Sequence, residues 1–287
     1  MKKIRAFLNL IKFEHTIFAL PFAYLGMFLA ADGWPSLWQF FWITIAMIAA
    51  RTLAMAVNRI TDRWWDARNP RTQNRPLVTG DISVRNAVIG SAISAAALVL
   101  AAAMLGPLPV ILLPIAAVFL IGYSYTKRFT SLSHFILGFT DGLAPMGAWV
   151  AVRGSLFTLS DLPAWLLLAF VTLWIGGFDI IYACQDVDFD REYHLHSIPA
   201  ERGVAFALRL SVVCHALVLV LLAWLGLTLS LGWPFALAIV VTAGLLIWEH
   251  SLVHPDDLTH INMAFFNINS YIAITLFIGA LISLLVR

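Results

Sequence analysis

The 287 residues are 61% hydrophobic and only 12% charged, with a mean hydropathy of +0.87. That charge is about half the roughly 25% of a soluble domain, and a soluble core cannot hide so much apolar surface. The net charge of +2 does not single out nucleic acid as a partner.

The apolar stretches are helix-length and rich in Leu, Ala and Ile. A bilayer accepts helices of about 20 such residues, which satisfy their own backbone groups. Nine transmembrane helices are therefore expected in an all-α bundle, and residues 1–287 are expected to form one domain. The first span, 13–31, has a basic start and resembles a signal peptide, but eight spans follow and a retained helix fits better.

The second span, 37–60, carries Arg51 and runs into NRITDRWWDARNPRTQNRP. Asn58, Asp62 and Asp66 step by four, which places them on one stripe of a helix, with Arg51 about two turns deeper. The third and fourth spans, 84–105 and 108–126, are parted by Gly106-Pro107, and the fourth ends on Tyr123, Lys127 and Arg128. The fifth, 132–152, holds Asp141, which either lines a cavity or makes a buried hydrogen bond. The sixth, 162–184, leads into a second acidic cluster. Asp186 and Asp190 are again four apart, and Asp179 is seven before Asp186, deeper on the same face. The seventh, eighth and ninth spans, 204–226, 232–250 and 265–286, carry no comparable cluster. The loop 249–264, with His250, His254, Asp256, Asp257 and His260, reads as a solvated cap, with metal binding or closure of the site as alternatives.

Lys and Arg favour the cytoplasmic side. With the N-terminus inside, all of them fall on that side except Arg51, Arg153 and Arg287. Both acidic clusters then face the cytoplasm, and a multi-pass membrane protein with its site on that side is expected. Cys184 and Cys214, the only cysteines, make neither a disulfide framework nor a thiolate metal site.

Four carboxylates on one side of the membrane repel unless a cation sits among them. Oxygen donors without a His or Cys stripe suit a hard cation, and Mg2+ is the usual one, shared between a few carboxylates and a substrate phosphate. Arg71, Arg75, Lys127 and Arg128 are the complementary phosphate donors. Ionisable groups as deep as Arg51 and Asp179 default to function. A polar pocket opening sideways into lipid suits a diphosphate head with a long apolar tail. The bland alternative is a wet, topogenic loop, and for Arg51 a snorkelling or paired side chain. A transporter is the rival from another class, but transporter sites sit near the midplane. A phosphotransferase acting on CDP-linked lipids would pack its Asp residues into one Asp-Gly-rich motif, absent here.

Asn58-x3-Asp62-x3-Asp66 followed by Arg75-Pro76, together with Asp186-x3-Asp190 and Tyr123-x3-Lys127, resembles the signatures of the UbiA superfamily of intramembrane prenyltransferases. The string DIIYACQDVDFDREYHLHSIPAERG is most similar to a 4-hydroxybenzoate polyprenyltransferase-like bacterial branch. The resemblance implies transfer of a prenyl group from a polyprenyl diphosphate to a ring carbon of an aromatic acceptor, with release of pyrophosphate. It implies metal ligands at Asn58, Asp62, Asp66, Asp186 and Asp190, diphosphate donors at Arg75 and Lys127, and Tyr123 facing the same cavity. Asp179 falls where the family often has a polar residue near the acceptor, and is the candidate proton acceptor; a helix–helix hydrogen bond is its alternative. Arg51 is the candidate partner of an acceptor carboxylate. Two departures stand out: Arg59 where many members have Asp, and His194-Leu195-His196-Ser197 where they often have Gly and Lys. His196 is expected to replace that Lys as a phosphate donor, or else to be a plain loop histidine. A dihydroxynaphthoate on the way to menaquinone is the alternative acceptor. Prenyl length and oligomeric state are not legible.

Overall fold

Gly, Pro and small caps set the helix ends. Ser36 accepts from the Gln39 N–H while the Gln39 side chain accepts from the Ser36 N–H, a reciprocal cap that starts the second helix. Gly106 adopts φ 131°, open only to glycine, and Pro107 then starts the next helix where its missing N–H costs nothing.

The computed structural model describes Leu10 and residues 16–286, so Lys2, Lys3, Arg5, Lys12 and Arg287 lie outside the described residues. Nine principal helices follow in order: α1 (Thr16–Ala31), α2 (Leu37–Asp66), α3 (Val84–Leu105), α4 (Pro107–Thr126), α5 (Ser133–Arg153), α6 (Leu162–Ala183), α7 (Val204–Thr228), α8 (Gly232–Ser251) and α9 (Asn269–Leu285). Eight spans, α2 to α9 with their flanking turns, are long and apolar enough to cross a membrane, while α1 is a shorter apolar helix. The all-helical membrane bundle expected from the sequence is borne out.

Each helix packs on its successor, α9 packs on α1, and α1 packs on both α2 and α5. The outer faces carry exposed apolar side chains such as Ile111, Val118, Val240 and Ile247, as a lipid-facing surface requires. α6 is the most buried span. It lies tight against α5 because Gly138 and Gly142 present no side chain. A Cβ on Gly138 would collide with the Thr172 carbonyl, and one on Gly142 would sit 2.9 Å from the Leu168 carbonyl. That approach brings the polar residues of α5 within reach of those of α6.

Three boundaries differ from the sequence reading in ways that matter. α2 does not stop at residue 60 but continues to Asp66, so the whole acidic stripe rides on one rigid helix. α6 stops at Ala183; Cys184–Asp186 form a 3-10 turn and Val187–Glu192 a separate short helix. Asp186 and Asp190 therefore do not share one continuous helical face. Glu249 and His250, where the eighth span and the loop 249–264 overlap in the sequence reading, belong to α8, which ends at Ser251. The chain enters α9 through a π-helical turn, Met263–Ile268, which the hydrophobic pattern does not signal.

Candidate active site

α2 and the turn after α6 bring the two acidic clusters to one place. A small polar pocket of about 150 Å³ is lined by Asp62, Asp66, Asp186 and Asp190, and also by Arg71, Arg75, Lys127 and Arg128. Each carboxylate has its own cation. Arg71 Nη2 lies 2.5 Å from Asp186 Oδ2, Arg75 Nη1 2.5 Å from Asp66 Oδ1, Lys127 Nζ 2.8 Å from Asp190 Oδ1 and Arg128 Nη2 3.6 Å from Asp62 Oδ1. Like charges about 4 Å apart repel by roughly 4 kcal/mol near a protein surface, so this one-to-one pairing is what lets the clusters meet. Neutral donors complete the shell: Asn58 Nδ2 donates to Asp62 Oδ2 at 2.8 Å, Asn69 Nδ2 to Asp186 Oδ1 at 3.0 Å and Ser197 Oγ to Asp190 Oδ2 at 2.7 Å. Burial alone would lower the pKa of Arg71, but its hydrogen bonds and charge contact with Asp186 reverse this and raise it. Arg71 also donates to Tyr182 Oη at 3.1 Å.

The pocket opens into a cavity of about 1120 Å³, which shares Asn58, Asp62, Arg71, Arg75, Lys127 and Asp186 as wall residues. Most of its wall is apolar, including Leu112, Leu120, Val150, Leu168 and Trp174. Beyond the residues shared with the pocket, its polar wall residues include Arg51, Tyr123, Asp141, Asp179, His134 and Tyr182. Arg51 and Asp179 both lie within the electrostatic reach of Asp141. Tyr123 Oη donates to the Ala54 carbonyl at 3.2 Å, which pins it to α2. Phe265 of the π-helical turn stacks on Tyr182, with ring centres 4.0 Å apart, and so closes one side with aromatic faces.

Among the described residues no three His, Cys, Asp or Glu side chains converge closely enough to hold a metal ion by themselves. The donor chemistry still suits Mg2+: the carboxylates come in cation-compensated pairs, all ligands are oxygen, and Mg2+ ordinarily completes its shell with water and substrate phosphate.

Residues 19–271 match the UbiA prenyltransferase family. The chain belongs to that family. The family and the enzyme class expected from the sequence, an aromatic prenyltransferase, are borne out. This UbiA-family chain is 32% identical over 264 residues to a 4-hydroxybenzoate octaprenyltransferase of Methylobacillus flagellatus, covering 90% of this chain and 85% of the relative. It superposes on a UbiA homologue from Aeropyrum pernix with a TM-score of 0.85 and 34% identity, over 94% of this chain and 98% of the other. A UbiA homologue from Archaeoglobus fulgidus, bound to DMAPP and Mg2+, shares the fold at a TM-score of 0.64 and 19% identity, over 94% and 98% of the two chains.

The structure of this UbiA-family chain brings together every sequence-predicted site residue except His196. The His196 imidazole turns to Glu201 instead, Nδ1 to Oε1 at 2.7 Å, and lines neither cavity nor pocket. That hydrogen bond holds the pKa of Glu201 below its ordinary value. Position 196 contributes through its backbone, whose N–H donates to the Lys127 carbonyl at 2.7 Å. Asn69, Ser197 and His134 are site residues that sequence reasoning missed. Asn69 and Ser197 lie beside the motifs, and their neighbourhood was the only available signal. His134 had none.

Proposed function

We propose that the chain transfers a polyprenyl group from a polyprenyl diphosphate to a ring carbon of a hydroxylated aromatic carboxylic acid such as 4-hydroxybenzoate, in quinone biosynthesis, releasing pyrophosphate. The reaction would take place at the cytoplasmic side of a bacterial inner membrane, with Mg2+ as the metal. One observation carries the reading: four carboxylates and four cations share a polar pocket that opens into a long apolar cavity. The name of the Methylobacillus relative and the ligands of the Archaeoglobus homologue agree with it.

The pairing suggests a division of labour. Arg71, Arg75, Lys127 and Arg128 would leave their carboxylates for the diphosphate oxygens, and the freed Asp186, Asp66, Asp190 and Asp62, with Asn58, would hold the metal. Bound Mg2+ supplies Lewis-acid neutralisation of charge building on the leaving group. The guanidinium and ammonium donors add stabilisation where that charge develops. The apolar wall takes the prenyl tail and excludes water, which would otherwise capture the allyl cation as an alcohol. The faces of Tyr123 and Tyr182 favour positive charge in front of the pocket. Arg51 receives the acceptor carboxylate, and Asp179 takes the phenolic proton, which raises the electron density of the ring carbon that attacks; the hydrogen of that carbon then moves to the ring oxygen and restores the phenol.

Purified protein with farnesyl diphosphate and 4-hydroxybenzoate is expected to give one C-prenylated product and stoichiometric pyrophosphate, both abolished by chelator and restored by Mg2+. Dihydroxynaphthoates in the same panel decide the menaquinone alternative. Acceptor movement across a vesicle membrane without pyrophosphate release would replace the enzymatic reading with a transporter.

A further inference from the structure

We propose that His134 is a positioning residue that fixes Asp179 towards the acceptor, and that it is itself held by the backbone strap following the second Asp motif. The inference rests on the proposed contact of Asp179 with the acceptor.

His134 is on the first turn of α5 and is buried. Its Nδ1 lies 2.7 Å from Asp179 Oδ2 of α6. On the other side of the ring, the Ile198 N–H donates to Nε2 at 3.3 Å. Ile198 opens the short helix Ile198–Arg202, whose first N–H groups have no partner within the helix. A backbone N–H can only donate. Nε2 must therefore carry the lone pair, and the ring proton sits on Nδ1, pointed at the carboxylate. Because the Ile198 N–H occupies the Nε2 lone pair and the ring is buried, His134 is not placed to take a proton from substrate at Nε2. It can only donate to Asp179 and hold its rotamer, leaving Oδ1 for the cavity that Asp179 lines.

The strap ties this arrangement to the diphosphate end. Three successive residues each contact a different part of the site. The His196 N–H donates to the Lys127 carbonyl at 2.7 Å, Ser197 Oγ to Asp190 Oδ2 at 2.7 Å and the Ile198 N–H to His134. The spacing of Asp179 from the leaving-group pocket is thus set by a short covalent segment as well as by helix packing. Asp141 of α5 lies within electrostatic reach of both Asp179 and Arg51 of α2. The imidazole is the one hydrogen-bonding side-chain partner of Asp179 among the described residues.

Two near-isosteres separate the two hydrogen bonds. In His134→Asn the side-chain amide reaches the place of Nδ1, keeping the bond to Asp179 and losing Ile198. In His134→Gln the amide reaches the place of Nε2, keeping Ile198 and losing Asp179. Steady-state kinetics of the full-length protein with farnesyl diphosphate and 4-hydroxybenzoate are compared with those of Asp179→Asn. The expected result is a kcat about 10–100-fold lower in His134→Gln, with the farnesyl diphosphate KM within about twofold of wild type, and turnover within about threefold of wild type in His134→Asn. A merely structural bridge would lower the melting temperature of both variants without this ordering. Equal losses in both, or full turnover in His134→Gln while Asp179→Asn is inactive, would overturn the role of His134. Full turnover in Asp179→Asn would instead remove the acceptor role of Asp179 on which the inference stands. Should His134→Gln fail to fold, His134→Asn still decides: a loss beyond about tenfold in a folded protein refutes the role.

Discussion

Asp62→Asn and Asp186→Asn should each cut prenyl transfer by on the order of 10³-fold or more, close to the background of the assay. The two residues come from opposite halves of the site, one on α2 and one on the 3-10 turn after α6. Each substitution keeps the shape and one oxygen acceptor but removes the negative charge that a hard cation needs. Folding should survive, because neither leaves a cation stranded. Arg128 keeps a bond to the Thr61 carbonyl at 3.0 Å and the faces of Trp65 and Tyr125. Arg71 keeps Tyr182, and its side chain is 31% exposed to solvent. Melting temperature in detergent should therefore move by only a few degrees while product falls away. More than a tenth of wild-type turnover in either variant would remove that carboxylate from the metal site.

The second large effect is selective. Arg51→Gln should raise the KM for 4-hydroxybenzoate by about 30–100-fold, the value of one lost charged hydrogen-bonded contact of about 2–3 kcal/mol. The KM for the prenyl diphosphate should hold. Arg51 sits in the cavity wall two turns deeper than Asn58, and its Nε is buried without a hydrogen-bond partner. A guanidinium N–H buried without a partner at that depth is costly, and a substrate carboxylate can meet the fork with two parallel bonds. An acceptor lacking the carboxylate should respond little to the substitution, since it has nothing to pair with Arg51. Parallel rises in both KM values would mean that Arg51 shapes the cavity rather than binding the acceptor.

What the sequence made legible follows from period and charge. The α2 stripe was readable because a helix repeats every 3.6 residues, so Asn58, Asp62 and Asp66 could only share a face. The meeting of this stripe with Asp186 and Asp190 was readable from charge, since both clusters end spans that descend to the same membrane side. The break after Ala183 was not readable. QDVDFD has no Pro or Gly to announce a new helix, and the turn is set by tertiary contacts such as Asn69 and Arg71 on Asp186. His196 misled because a basic residue close to a phosphate-binding motif looks like a donor, whereas Glu201 five residues on captures it. His134 was silent because its two partners lie 45 and 64 residues away, and one of them is a backbone N–H that no side-chain pattern reveals. The π-helical turn before α9 was hidden in the same way. It is held by Asn269, whose Nδ2 donates to the Ala264 and Phe265 carbonyls and to Glu249 of α8, each at 3.1 Å.

The most direct measurement replaces Mg2+ with Mn2+ and follows its binding by electron paramagnetic resonance, with and without a non-hydrolysable prenyl diphosphate. A single metal–diphosphate site shared by the two acidic clusters binds Mn2+ tightly only when the diphosphate is present, and loses it equally in Asp62→Asn and Asp186→Asn. Tight Mn2+ binding that persists in either variant, or that ignores the diphosphate, contradicts a shared site.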